Sequence, residues 1–355
     1  VGVFALDANT TGTNNTAFGD NALGANTTAY SNTAIGSEAM AANTEGFQNV
    51  GIGFSSLTTN TTGDSNTAVG IFSLRYATTA DNNTAVGHTA LQANTTGYQN
   101  SAVGKSALQA NTTAIQNTAM GYNSLQGTTT GSANTAFGWS SMANNTTGVS
   151  NTAVADTCLN SNTTGSNNTA LGRHALDANT TGSSNVGIGY LALSANTTAT
   201  GNVAIGQQAG ALNTTGNENT FVGHTAGQAV TTGGSNTFLG ERAGNSMTTN
   251  GQNTMVGSFA GANITGGGNT MIGRESGASG TSITSGTGNV FIGNQTDAGA
   301  ADRTNSIVIG NSVTSVNSAQ FTFGNGTTDS NIALGATTIT APSDERYKEE
   351  ITTST

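Results

Sequence analysis

The chain has 355 residues, of which 50 are glycine, one is proline and only 7% are charged. Globular domains carry about 25% charged residues, so Asn, Thr, Ser and Gly must cover the surface here. The net charge of −10 excludes the basic surface that nucleic-acid binding requires. No apolar run approaches the roughly 20 residues of a membrane helix, so we expect no membrane insertion.

Asn recurs every 17 residues from Asn15 to Asn253, which gives fifteen consecutive anchors. The consensus is N-T-A-Φ-G-x-x-A-L-x-A-N-T-T-G-x-x, where Φ is apolar, and its positions are numbered 1 to 17 below. The Gly at position 5 is replaced once in these repeats, by Ala155. Strict periodicity of this kind is typical of solenoids and fibres, whereas disordered chains combine low hydrophobicity with high net charge.

Each repeat predicts a short strand, a turn, a second short strand and a second turn. Thr16 or Val50 at position 2 alternates with the Φ residue two places later, which is strand periodicity. The Gly and N-T-T-G segments favour turns with positive φ or bends capped by side chains. We therefore predict an all-β fold, a repetitive parallel β-roll or β-solenoid of 17-residue coils.

The Asn at position 1 has two structural interpretations. Stacked coils would align the amides into a hydrogen-bonded ladder, or Asn would simply tolerate a left-handed turn.

Two columns of the repeat exchange volume. Position 3 is Ala or Gly and position 9 is Leu or Met in the first eleven repeats, while Phe221 pairs with Gly227 and Phe238 with Gly244 later on. Close-packed interiors do not tolerate unmatched volume, so the two columns should share one space. The repeat at Asn202 is small in both columns, and Leu212 is predicted to fill the gap.

Both faces of the predicted strand are apolar. Val50 and Ile52 point to one face and Gly51 to the other, because successive side chains alternate. A thin coil has one interior, so the second face should be buried against another chain. A homotrimer around a fibre axis is the prediction; a lone solenoid with an apolar seam is the alternative.

Three segments follow from the spacing: a regular shaft at 1–265, irregular and tapering repeats at 266–342, and a new domain at 343–355. Residues 1–6 align with the inside of a repeat, which predicts further chain upstream. The last segment carries six charged residues after Pro342 and predicts a helix start.

The N-V-G-I-G and N-V-A-I-G segments at Asn49, Asn185 and Asn202 resemble the head repeats of trimeric autotransporter adhesins. Those heads are trimers of left-handed parallel β-rolls that bind host surfaces. The resemblance covers most of the chain, although this repeat is longer and adds the N-T-T-G turn.

The S-D-x-R-x-K segment from Ser343 to Lys348 resembles the opening of the C-terminal intramolecular chaperone of phage tail spikes and tail fibres. That chaperone trimerises the fibre and then cuts itself off. The resemblance implies cleavage between Ser343 and Asp344, with Ser343 as nucleophile and Lys348 as its base. Only seven residues follow Lys348, so the cleaving domain itself is not in this sequence.

The repeats carry no recognisable catalytic motif, so we predict no enzymatic activity for the shaft, no metal site and no cofactor. His88 and His224 share one column but lie eight coils apart, too far to bind one metal ion. Cys158 occupies position 8, a column of small side chains, and is predicted to be a buried structural thiol.

Two columns vary in size and chemistry and should therefore face outward. These are positions 6 and 16, and exposed aromatic side chains there suit contact with sugar or protein. The alternative is ordinary surface variation. The candidate receptor contacts are Phe54, Tyr122, Trp139 and Tyr190 at position 6, and Tyr30, Phe47 and Tyr98 at position 16.

The sequence thus predicts the adhesive shaft of a viral (phage) tail fibre, found on the virion outside cells, that binds a glycan or protein receptor on the host surface. A bacterial cell-surface trimeric adhesin is the first alternative. An ice-binding β-solenoid is the lesser alternative, because Trp139, Arg173 and Glu241 would interrupt a flat Thr face.

Overall fold

The computed structural model describes residues 2–278, 280 and 283–335, and it divides into a first unit up to Gly201 and a second unit from Asn202. The described residues form short strands joined by turns, with no helix. The first unit contains β1 Thr16–Phe18, β2 Thr33–Ile35, β3 Val50–Ile52, β4 Thr67–Val69, β5 Thr84–Val86, β6 Ser101–Val103, β7 Thr118–Met120, β8 Thr135–Phe137, β9 Thr152–Val154, β10 Thr169–Leu171 and β11 Val186–Ile188.

The second unit continues the same pattern with nine strands. They are β12 Val203–Ile205, β13 Thr220–Val222, β14 Thr237–Leu239, β15 Thr254–Val256, β16 Thr270–Ile272, β17 Val290–Ile292, β18 Ile307–Gly310, β19 Gln320–Gly324 and β20 Ser330–Ala333.

Within each unit, successive strands up to β19 pair in parallel and in register. Thr16 lies opposite Thr33, and the Gly36 N–H donates to Phe18 O at 2.8 Å. Hydrogen bonds to the neighbouring coil also occur outside the strands, as from Leu23 N to Ala39 O at 3.0 Å. The predicted parallel β-solenoid of 17-residue coils is confirmed.

Each coil contains one strand, so the predicted second strand is wrong. The segment through positions 7 to 9 has positive φ at two residues, as at Asn21 (55°) and Leu23 (51°). Alternating left-handed residues curve the backbone, so it turns the corner of the coil while still bonding to its neighbour.

Of the two interpretations of the Asn at position 1, the structure shows the amide ladder and not a left-handed turn. Asn66 is fully buried, and its Nδ2 donates to Asn49 Oδ1 at 3.1 Å and to Ala80 O at 2.7 Å. A second ladder, which we did not predict, runs along position 12. There Asn60 Nδ2 donates to Asn43 Oδ1 at 2.8 Å and caps the bend at Gly63 O at 2.9 Å.

The second ladder breaks where its Asn is replaced. Ala77 takes the place of Asn one coil after Asn60, and Thr128 takes its place one coil after Asn111. The Oδ1 atoms of both Asn60 and Asn111 are buried and accept no hydrogen bond within the described residues. A buried acceptor without a partner costs about 1–3 kcal/mol.

We expect Ala77→Asn to raise the free energy of unfolding by about 1–3 kcal/mol, because the new amide would donate to Asn60 Oδ1. Urea unfolding measures the change, and Thr128→Asn should act alike. The control Ala110→Asn adds the same side chain one position before the ladder and should gain nothing. Equal stability of the Ala77 and Ala110 variants would contradict the ladder explanation.

The two columns that exchange volume do share one space. A Cβ on Gly227 would lie 2.4 Å from the ring of Phe221 in its own coil and 3.0 Å from that of Phe238 in the next coil. Position 9 is therefore packed between two position-3 side chains. Gly210, at position 9 of the repeat at Asn202, leaves room for Phe221 at position 3 of the next coil. This explains why position 9 is already small in that repeat. Leu212 is 52% exposed, so the prediction that it fills a gap is wrong.

The regular spacing ends in the second unit. Thr254 pairs with Thr270 and Thr270 with Val290, which are steps of 16 and 20 residues. The final strand β20 runs antiparallel to β19, so the last strand-plus-Gly module forms a hairpin where the spacing suggests a shorter coil. The predicted helix start at 343–355 lies outside the described residues.

Candidate receptor-binding surface

The aromatic side chains at positions 6 and 16 lie on the outside of the coils. Six of the seven candidates are between 43% and 56% exposed, namely Tyr30, Phe54, Tyr98, Tyr122, Trp139 and Tyr190. Phe47 is half-buried. Position 6 follows the positive-φ Gly that ends the strand, so its side chain projects away from the core.

Some of these rings stack on the ring one coil away. The centroids of Tyr30 and Phe47 are 4.9 Å apart with planes 6° from parallel, and Tyr122 and Trp139 are 6.4 Å apart at 8°. Stacking fixes the side chains and leaves their edges in solvent. Rigid amphipathic rings suit a binding surface because little conformational entropy is lost on contact.

Sequence reasoning missed a further aromatic group beside position 6. Phe72 contacts Phe54 edge-to-face at 5.4 Å, and the Arg75 guanidinium lies 4.6 Å from the Phe72 ring and 5.3 Å from the Tyr76 ring. Phe72, Arg75 and Tyr76 replace residues that are small or polar in most other repeats. That departure from the consensus was the available signal.

The Φ residues at position 4 form a second exposed column. Phe18 is 62% exposed, and Ile35, Met120, Phe137 and Leu171 are also exposed. The remaining Φ side chains of the first unit are half-buried. In the second unit the exposed members are Ile205, Leu239, Ile272, Ile292, Ile309 and Phe323. No charged residue interrupts positions 2 and 4 in the described strands.

Two carboxylates adjoin this aromatic surface at position 16. Asp64 accepts a hydrogen bond from Phe47 N at 2.9 Å, and Asp81 accepts one from Asp64 N at 2.8 Å. Partial burial raises the pKa of Asp64, and the nearby charge of Asp81 raises it further. These groups fill turn positions, and among the described residues no group of three His, Cys, Asp or Glu side chains could hold a metal ion.

Cys158 is fully buried, as predicted. Its Sγ lies 3.1 Å from Ala155 O and 3.3 Å from Ser141 Oγ. Burial raises the pKa of Cys158 to about 11, so the thiol stays protonated and unreactive near neutrality.

The raised thiol pKa predicts a loss of stability in alkali. The folded protein holds the proton more tightly than the unfolded chain, so this contribution is complete below about pH 9 and declines between about 9 and 11. Cys158→Ala, which matches the usual residue of this column, should unfold with a shallower dependence on pH in that range. Identical pH profiles from urea unfolding would contradict this prediction.

The second unit has an open groove of about 600 Å³ where glycines occupy position 16 of successive coils, as at Gly234 and Gly251. Its lining carries no charged side chain and comprises Gly234, Ser235, Asn250, Gly251, Gln252, Gly267, Gly268, Thr287 and Gly288. The proposed cleavage residues Ser343, Asp344 and Lys348 lie outside the described residues.

No helix in the described part of the chain has the length and apolarity needed to cross a membrane. Searches with family models and against curated proteins found no match to this chain.

Proposed function

We propose that this chain is the structural and adhesive shaft of a homotrimeric viral (phage) tail fibre that attaches to a host surface. Association is supported by the exposed apolar column at position 4. The stacked aromatic side chains at positions 6 and 16 of the chain serve as the adhesive surface. A glycan or protein of the host is the receptor.

The Φ column is the observation that carries the proposal. Soluble monomers rarely expose contiguous apolar patches larger than a few hundred Å². Here Ile35, Val69 and Val86 belong to a column that repeats in every coil of the first unit. A surface of this kind is stable in water when another protein surface covers it.

A second and third copy of this chain fit the column best. Its apolar side chains recur once per coil, so a covering surface must repeat at the same interval. Another copy of the same solenoid meets that condition along its whole length. A specific interface needs about 800 Å² from each partner, so the contact must involve the Φ side chains of many coils together with the adjacent Thr column.

The outer columns favour adhesion over ice binding. An ice-binding face must be flat, yet position 4 mixes Phe18 and Phe137 with valines, and position 6 carries Trp139. Aromatic residues with varied polar neighbours are typical of surfaces that recognise sugars or proteins.

Charge in the Φ column should abolish association. We expect the combined change Val69→Lys, Val86→Lys and Val103→Lys to give monomers in light scattering, because lysines at the contact would be buried without partners. The control Ser132→Lys, Ser166→Lys and Ser183→Lys adds the same charge at position 16 and should stay trimeric. A monomeric wild type, or a triple Val variant that remains trimeric, would refute the proposed assembly.

Attachment is tested separately with the labelled full chain on a panel of bacterial strains. Wild-type protein should bind at least one strain, and binding should fall when Tyr122 and Trp139 are both changed to Ala. A trimer that binds no strain would refute the adhesive role while leaving the assembly intact.

A further inference from the structure

One run of position 6 concentrates the chain's scarce charged and aromatic side chains. The sequence has one Trp and eight Lys and Arg residues in all. Six consecutive coils of the first unit nevertheless carry Lys105, Tyr122, Trp139, Asp156, Arg173 and Tyr190 at this position.

The middle of this run contains a strained backbone. Ala155 has φ +131°, and among the described coils it alone replaces the Gly of position 5. A side chain at position 5 also comes close to the next coil. At Gly138, the equivalent residue one coil earlier, an added Cβ would lie only 2.4 Å from Ala155 O. L-residues rarely adopt this conformation, and it is essentially restricted to glycine.

At the residues around Ala155, the backbone hydrogen bonds that join its coil to the next coil are longer than those that join it to the coil before. His174 N lies 3.4 Å from Asp156 O, whereas Thr157 N lies 3.0 Å from Trp139 O one coil earlier. The bond from Gly172 N to Val154 O is 3.0 Å, and the bond from Ala155 N to Phe137 O is 2.8 Å. The extra methyl group is therefore accommodated by spreading two coils at Asp156 and His174.

Polar side chains gather at this opening. Arg173 Nε lies 3.3 Å from Asp156 Oδ2, and the Arg173 side chain is 61% exposed while that of Asp156 is 43% exposed. His174 Nδ1 lies 3.0 Å from Thr157 Oγ1 and 3.1 Å from Asp177 Oδ2. The other oxygen of Asp156, Oδ1, is screened from solvent and accepts no hydrogen bond from the described residues. This orphaned acceptor is a second local cost.

Trp139 occupies position 6 one coil before Asp156. It is 56% exposed, and its ring stacks on that of Tyr122 in the coil before it. Acceptors and donors beside an aromatic ring suit a pyranose, whose C–H face packs on the ring while its hydroxyls exchange hydrogen bonds. The two negative charges of Asp156 and Asp177 exceed the single positive charge of Arg173. This excess disfavours an acidic sugar.

We propose that Trp139, Asp156, Arg173 and His174 form a binding site for a neutral saccharide. This assignment rests on the proposed adhesive function and names the ligand of that surface. Strained residues persist at ligand sites because the altered geometry serves binding. Ala155 thus sets the spacing between Asp156 and His174 that the consensus Gly would close.

Trp139 is the single Trp of the chain, so intrinsic fluorescence reports directly on this site. The full chain is titrated with neutral oligosaccharides of hexoses and N-acetylhexosamines, and separately with sialylated and uronic-acid oligosaccharides. A neutral sugar should change the emission saturably, and the acidic sugars should not. Asp156→Asn and Arg173→Gln should each raise Kd about tenfold or more, while the control Glu241→Gln at position 6 of the second unit should not.

The variant Ala155→Gly tests whether the strain at Ala155 serves sugar binding or is only a chance substitution. It should raise the thermal midpoint, because it restores the consensus geometry, and it should weaken sugar binding several-fold. The proposal is overturned if no neutral sugar in the panel changes the emission, if acidic sugars bind instead, or if Ala155→Gly stabilises the protein without weakening binding. Undiminished attachment of Trp139→Ala to host cells would likewise overturn this site while leaving the adhesive function intact.

Discussion

Deleting residues 83–99, one whole repeat of the first unit, should leave a folded chain, whereas deleting residues 83–90 should unfold that region. The partners of each coil lie 17 residues away, as for Asn66 N and Asn49 Oδ1 at 2.8 Å. After the first deletion Asn100 takes the place of Asn83, and every column continues. After the second deletion, polar residues enter apolar core positions, which costs several kcal/mol.

Circular dichroism and limited proteolysis distinguish the two variants. The 17-residue deletion should retain the wild-type spectrum and the wild-type resistance to protease. The eight-residue deletion should be cleaved within the first unit. If both deletions behave alike, hydrogen bonding between equivalent residues of neighbouring coils does not govern stability.

Ala85→Phe should destabilise the first unit by about 1–3 kcal/mol through overpacking, and glycines at Leu74 and Leu91 should recover part of the loss. A Cβ on Gly51, at the equivalent position in another coil, would lie 3.0 Å from Met40 Cγ of the preceding coil. The ring introduced at Ala85 would therefore collide with Leu74 below as well as with Leu91. Both leucines have positive φ, 47° and 51°, so glycine also removes backbone strain there.

Urea unfolding of the single and combined variants measures the coupling between these columns. The glycine changes alone should each cost about 2–5 kcal/mol by leaving a cavity, so recovery in the combined variant identifies shared space. Leu159→Gly, at position 9 of a coil that does not adjoin the coil of Ala85, is the control and should show no coupling. Additive losses in the combined variant would mean that the columns do not meet.

The period, the fold class and the shared core could be predicted because each depends on a pattern repeated many times. The exchange of Phe221 and Gly227 for Ala and Leu exposed a packing relation that any single repeat would hide. The absent second strand could not be predicted, because Leu at positive φ is unusual and the propensity of Leu gives no sign of it.

The candidate site was predicted only in outline. Size and chemical variation placed Trp139 and Tyr122 on the surface, but their stacking depends on side-chain geometry that spacing does not define. The cluster at Asp156 and His174 depends on a ladder distorted by one methyl group. Ala155 was visible as an exception to the Gly column, yet its effect on neighbouring bonds required coordinates.

The buried amide ladders also determine how this protein ages chemically. Deamidation of Asn requires the following backbone nitrogen to reach the side-chain carbonyl, and Asn is among the thermolabile residues. The backbone nitrogen that follows each position-1 Asn is held by a hydrogen bond to the next coil. After Asn66, for example, Thr67 N donates to Asn83 O at 2.8 Å. Asn250 and Asn325 are exposed and precede glycine, which obstructs this attack least. Spontaneous damage should therefore begin at these two turns, while the ladders outlast them.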